Sequence, residues 1–142
     1  MRTILRALAL ACVLAALPAC SSLGVRTENP FVAAKTIDQE AYALIGTYAA
    51  TLEEATDIVR DPATPASVKK ALAKAEAVAT PLVETVEIAT IAYLKTKADT
   101  ASLSGAPAPT RAAATLTAAA THLHDAILAA QAPVKALQAA LK

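Results

Sequence analysis

Three long stretches of this chain repeat apolar residues at alternating steps of four and three. Ile37, Ala41, Leu44, Tyr48, Leu52, Ala55 and Val59 form the first series. Val68, Leu72, Ala75, Ala79, Leu82, Val86, Ala89 and Tyr93 form the second. Leu116, Ala120, Leu123, Ile127, Ala130, Val134, Leu137 and Leu141 form the third. Such spacing places each series on one face of an α-helix and suits no strand, whose side chains alternate with a period of two. The pattern predicts an all-α fold, an antiparallel three-helix bundle with short connections.

Local signals set the expected boundaries. The first helix should run from about Ile37 to Arg60, with Thr36 as N-cap and Gln39 completing a capping box. Asp61-Pro62 should end it, because proline disfavours helical geometry in the residue before it. The second is expected from about Pro65 to Ala98, with Thr64 as its cap and Pro65 at the first helical position, where a missing N–H is harmless. A loop over residues 99–109 precedes the third helix, expected from about Thr110 to Leu141. Pro81 and Pro133 fall inside helices two and three. Each removes a backbone hydrogen bond and crowds the preceding turn, which predicts a kink in both long Ala-rich helices. At about 1.5 Å per residue these two would each reach roughly 45–50 Å, leaving one end of the pair less covered by the shorter first helix.

Alanine dominates the apolar positions, so each contact buries little area and many modest contacts must hold the core. Its high helix propensity works in the same direction as the repeats. The aromatic residues are Phe31, Tyr42, Tyr48 and Tyr93, and tryptophan is absent. The three tyrosines are expected in the core or at its edge, filling the widest parts of the bundle. Gly46 costs its helix about 1 kcal/mol relative to alanine, which suggests a close helix crossing there.

The amino-terminal segment has a different organisation. Arg2 and Arg6 precede eleven uninterrupted apolar residues, Ala7 to Leu17, and Pro18-Ala19-Cys20 follows. The run is too short for a membrane-spanning helix, which needs about 20 apolar residues. A charged start, a short apolar run and a small-residue cleavage site is the order of a secretory signal. Leu17, Ala19 and Cys20 resemble the lipobox of a bacterial lipoprotein, with Pro18 a less usual occupant of the position between them. Cys12 lies too close to Arg6 to serve instead. The bland alternative is an ordinary secreted protein cleaved near Ala19.

The lipoprotein resemblance implies cleavage between Ala19 and Cys20, a diacylglycerol thioether on the Cys20 sulfur and an acyl chain on the freed amine. One chain binds a membrane only marginally, at about 0.8 kcal/mol per buried methylene, whereas two or three on one residue anchor firmly. Ser21 rather than Asp after the cysteine implies, in a Gram-negative host, export to the periplasmic face of the outer membrane. On this reading residues 1–19 are a removed signal, 20–35 are the lipidated cysteine and a flexible tether, and 36–142 are the bundle domain. Ser21, Ser22, Gly24, Asn29 and Pro30 give the tether its lack of periodicity.

Processing also alters the charge. Loss of Arg2 and Arg6 takes the 13 basic residues to 11 against 12 acids, a formal charge of −1. Such a balance offers no basic field for nucleic acid. Both cysteines lie at or before position 20. The mature domain is therefore expected to lack disulfides even in an oxidising compartment, and no cofactor beyond the covalent lipid is expected.

Candidate chemical groups are sparse. His122 and His124 are two apart and diverge by about 200° on a helix. A metal pair wants a spacing of three or four, so surface histidines are expected even with Asp125 adjacent. Glu53, Glu54, Asp57 and Asp61 face Lys69, Lys70 and Lys74 across the first turn in sequence. The two groups could face each other across the hairpin and fix its register, each exposed pair contributing about 0–1 kcal/mol, with a cation-binding or catalytic carboxylate pair the less favoured alternative. Glu84 and Glu87 share a solvated face. Thr47, Thr51, Thr90 and Thr121 have no recognisable catalytic partner.

The expected function is therefore a non-enzymatic one: an outer-membrane-anchored lipoprotein acting through contact with an envelope protein. The stretch Ala34 to Tyr48, then Asp61-Pro62 and Pro65 to Lys69, resembles small, mostly uncharacterised helical proteins of phage and prophage regions in alphaproteobacteria. It covers under half of the mature chain and implies a phage-linked variant of the same role, without site residues. The alternative is a small-molecule or lipid-binding carrier with a cavity between kinked helices. A third is a hydrolase using an acid with His122 or His124.

Overall fold

Apolar repeats, alanine and the absence of internal glycine clusters produce three helices. The computed structural model describes residues 34–102 and 109–142. Helix α1 spans Ile37–Arg60, α2 Ala66–Ser102 and α3 Pro109–Ala139, and no strand occurs among the described residues. Cys12, Ala19, Cys20 and most of the expected tether lie outside them.

Cross-helix contacts give the topology. Tyr48 Oη lies 2.6 Å from Thr80 Oγ1, and Lys97 Nζ lies 3.6 Å from Asp38 Oδ2. Rising numbers on α1 thus meet falling numbers on α2, so the two are antiparallel. Thr51 and Glu54 of α1 line one groove with Gln138, Leu141 and Lys142 at the end of the chain. Helix α3 therefore returns alongside α1. The most extensive contact is between α2 and α3.

The core uses the expected faces. Leu44, Leu72, Val83, Val86, Leu123, Ile127, Val134 and Leu137 are its largest fully buried side chains. Alanines 41, 79, 89 and 130 pack between them. Small side chains there let the helix backbones approach. Thr51 and Thr90 are the buried polar residues among those described, and each hydroxyl donates at 2.7 Å to the carbonyl four residues earlier, Thr47 and Val86 respectively. This back-bonding satisfies a hydroxyl inside an apolar interface without a partner from another helix.

Several boundaries differ from expectation. The Gln39 side chain accepts from the Lys35 N–H at 2.8 Å, not from Thr36, and Thr36 makes no side-chain cap bond to the helix backbone. Glu40 still donates to the Thr36 carbonyl at 3.0 Å, so the helix begins where the sequence suggested. Helix α2 opens one residue later than expected. Pro65 supplies the first accepting carbonyl, to Val68 and Lys69, and so stands before the helix rather than at its first position. Thr64 belongs to the turn, donating its N–H to the Asp61 carbonyl at 3.2 Å, while Asp61 Oδ1 accepts from Ala63 at 2.8 Å. At its far end α2 continues through Asp99 to Ser102, absorbing residues assigned to the loop. No glycine or proline lies between Lys95 and Ser102 to stop it.

Both prolines sit within unbroken helical segments. The carbonyls they deprive of donors belong to Ala77 and Ala129. Both of those residues are exposed, so water can take the missing place. The residues flanking the prolines inside the bundle, Ala79, Val83, Ala130 and Val134, are fully buried and packed in the core.

Packing is uneven along the axis. Beyond Ala41, Thr90 and Leu123, towards the α2–α3 connection, no described residue is buried. Leu116 and Ala120 on α3 are only half-buried, as is Tyr93 on α2. The two long helices therefore project past the well-packed region as an arm, with α1 covering only its base.

Candidate functional site

The groups singled out for chemistry remain apart. His122, His124 and Asp125 are all exposed on α3. No group of three His, Cys, Asp or Glu is placed to hold a metal among the described residues. The expected ion pairs across the α1–α2 turn do not form, because the ion pair among the described residues is Lys97–Asp38. The reason is rotational: Glu53 and Asp57 lie about 140° and 180° from Tyr48 on α1, facing away from α2. Gly46 is exposed, and a Cβ built there meets nothing within 4 Å, so it marks no close crossing. Tyr48 is buried and Tyr93 half-buried as expected, but Tyr42 is 57% exposed, lying one residue off the stripe begun by Ala41. Val59, the last member of the first series, is also exposed, since α1 ends one residue later.

One electrostatic cluster stands at the base of the arm. The Asp38 carboxyl is held below its ordinary range, first by the Thr36 hydroxyl beside it. Partial burial works against this, while its own backbone amide and Lys97 assist. The Lys97 ammonium also lies 5.6 Å from the centre of the Tyr93 ring. Half-exposed Lys97 makes this a weak clamp between α1 and α2. The groove formed by Thr51, Glu54, Gln138, Leu141 and Lys142 holds about 290 Å³ and opens to solvent at the opposite end of the bundle. It is not between the prolines.

The most unusual surface is the outward face of α2. Ile88 and Ile91 are each 69% exposed. Helix α2 contains an 18-residue window of mean hydropathy 1.4, of which only 28% is buried. By length and composition such a helix could cross a membrane, yet its inner face is built into the bundle core. The apolar excess thus lies on the side turned away from α1 and α3. The inner series of α2 is plain in the sequence, where Glu84 and Glu87 look like an ordinary solvated face. Less plain is a second series at steps of four and three: Ala77, Pro81, Glu84, Ile88, Ile91, Lys95, Ala98 and Ser102. All eight are exposed.

Comparison with protein-family models, with curated proteins and with solved structures finds no match for this chain.

Proposed function

We propose that the protein is a lipid-anchored envelope module that acts by contact, held on the periplasmic face of the outer membrane through Cys20. The observation that carries the anchor is the order of Arg2 and Arg6, an apolar run, and Leu17-Pro18-Ala19-Cys20. The outward face of α2 supports the contact role, because isoleucines exposed together on one helix lose their contact with water only when something docks on them. The interior beside Pro81 and Pro133 is filled by Ala79, Val83, Ala130 and Val134, so nothing there favours the carrier alternative.

Metabolic labelling with radioactive palmitate tests the anchor. Label is expected in the wild-type chain and absent from the Cys20→Ser variant; unlabelled wild type in a soluble periplasmic fraction would refute the reading. A photoreactive residue at Ile88, in intact cells, tests the contact role. A cross-linked product is expected there and not from Ala114 on the outward side of α3. Equal silence at both positions would count against the α2 face. Gene neighbourhood separates a phage-linked version of this role from a housekeeping one.

A further inference from the structure

The outer series on α2 has an internal symmetry. Its steps read four, three, four, three, four, three, four from Ala77 to Ser102, and so are the same in both directions about a centre between Ala89 and Thr90. Reversal exchanges Ile88 with Ile91, Glu84 with Lys95, Pro81 with Ala98 and Ala77 with Ser102. The apolar pair maps onto itself, and the acid maps onto the base. All eight residues fall within about 100° of the helix circumference, and Glu84, Ile88, Ile91 and Lys95 within about 60°. The stripe lies roughly opposite the buried one and extends along about 38 Å of helix.

We propose that this face docks antiparallel onto the same face of a second copy of the chain. The inference rests on reading the outward face of α2 as a contact surface, and it names the occupant. Steps of three and four are the spacing of a two-helix seam, and antiparallel seams pair the two kinds of position with each other across the interface. Ile88 of one copy then meets Ile91 of the other, twice, at the centre. Glu84 meets Lys95, twice, on either side. Ala77, Pro81, Ala98 and Ser102 are small or compact, which lets the ends of the seam close.

Charge selects this arrangement over the alternatives. In a parallel pair Glu84 would face Glu84 and Lys95 would face Lys95, two like-charge layers in one seam. A lipid surface would have to take Glu84 and Lys95 out of water without an opposite charge on the protein. In the single chain neither residue has an ion-pair partner among the described residues. Self-docking supplies each with one. It also lays the well-packed middle of one α2, residues 77–88, against the projecting arm of the other, residues 91–102, where the chain alone fully buries no residue.

Sedimentation equilibrium of the full chain in detergent tests the proposal, with the Cys20→Ser full chain alongside to separate docking from association of lipid chains. Wild type and Cys20→Ser are expected to be dimeric. Glu84→Lys alone and Lys95→Glu alone each exchange two attractive contacts for two repulsive ones, and should raise the dimer dissociation constant by about tenfold. The combined Glu84→Lys/Lys95→Glu chain should return to near the wild-type value, because its reversed charges again face opposite partners. Glu84 and Lys95 are both exposed, so circular dichroism should be unchanged throughout. A monomeric wild type overturns the proposal, as does a dimer that requires Cys20, or a double variant as weak as the singles. If the chain is monomeric while a photoreactive residue at Ile88 captures a different envelope protein, self-docking is overturned and the contact role stands. Binding of a monomeric Cys20→Ser chain to phosphatidylethanolamine–phosphatidylglycerol vesicles that is lost in Ile88→Ser/Ile91→Ser would likewise assign the face to lipid and overturn self-docking.

Discussion

Replacing Thr80 by valine should cost more stability than replacing its partner Tyr48 by phenylalanine. The two hydroxyls lie 2.6 Å apart, and Thr80 Oγ1 also donates to the Glu76 carbonyl at 2.9 Å. A threonine hydroxyl has one hydrogen, so Tyr48 must be the donor in the bond between α1 and α2. Tyr48→Phe removes that donor and leaves Thr80 with its own acceptor intact. The cost should be about 1 kcal/mol, the net worth of one neutral hydrogen bond. Thr80→Val takes away the acceptor instead. The Tyr48 hydroxyl is then stranded on a side chain that is only 8% exposed, at a cost of about 1–3 kcal/mol. Threonine and valine have similar helix propensities, so little of that difference comes from the backbone. The double variant has no stranded group and should cost less than the two single changes summed. Urea denaturation of the full chain followed by circular dichroism measures all three, with unchanged slopes showing that the unfolded state is unaffected. Additive costs, or a Thr80→Val chain as stable as wild type, would show that these helices do not meet at this register.

Gly46→Ala should stabilise the chain by about 0.5–1 kcal/mol, read as a higher urea midpoint, because the position is helical, exposed and without a neighbour for the new methyl. Leu123→Ala should cost about 2–5 kcal/mol, while Leu116→Ala, half-buried seven residues earlier on the same face, should cost clearly less in the same assay. Asp38 should make the fold weaker in acid. Its folded pKa lies below the unfolded value, so its contribution is complete above the unfolded pKa of about 4 and is lost as pH falls through the folded one. NMR titration should show that pKa rising towards the ordinary carboxylate range in Thr36→Ala, and no change there would remove the Thr36 hydroxyl as its main cause.

The fold was largely legible because one signal dominates. A four-and-three repeat sustained over Leu72, Ala79, Val86 and Tyr93 leaves a helix only one way to turn its apolar side, and the described burial follows it. Errors gathered where competing chemistry was local. Pro65 and Thr64 supply both a turn and a helix start, and the turn took them. The capping box at Thr36 shifted by one residue because the Gln39 side chain is long enough to reach the amide of Lys35 as well. The acids Glu53 and Asp57 are close to Lys69 and Lys70 in sequence, but their rotation about α1 decides whom they face. The outer face of α2 was hidden for another reason. Its apolar members are separated by charges, and only knowledge of which side the core occupies shows that Ile88 and Ile91 are left outside.

The uneven packing along the bundle has a mechanical consequence. The chain enters at Ala34, beside the arm of α2 and α3, and leaves at Lys142, at the opposite end. A pull arriving through Lys35 therefore acts first on the opening turn of α1, where Ile37 is half-buried and the ion pair to Lys97 is half in water. Applied between those opposite ends, such a load runs along the α1 axis and strains its opening turn before the fully buried residues carry it. The force needed should rise in a step when Ala41 and Leu44, the first fully buried pair, begin to carry it. The bundle thus has a soft end and a firm end, and the amino-terminal segment joins it at the soft one.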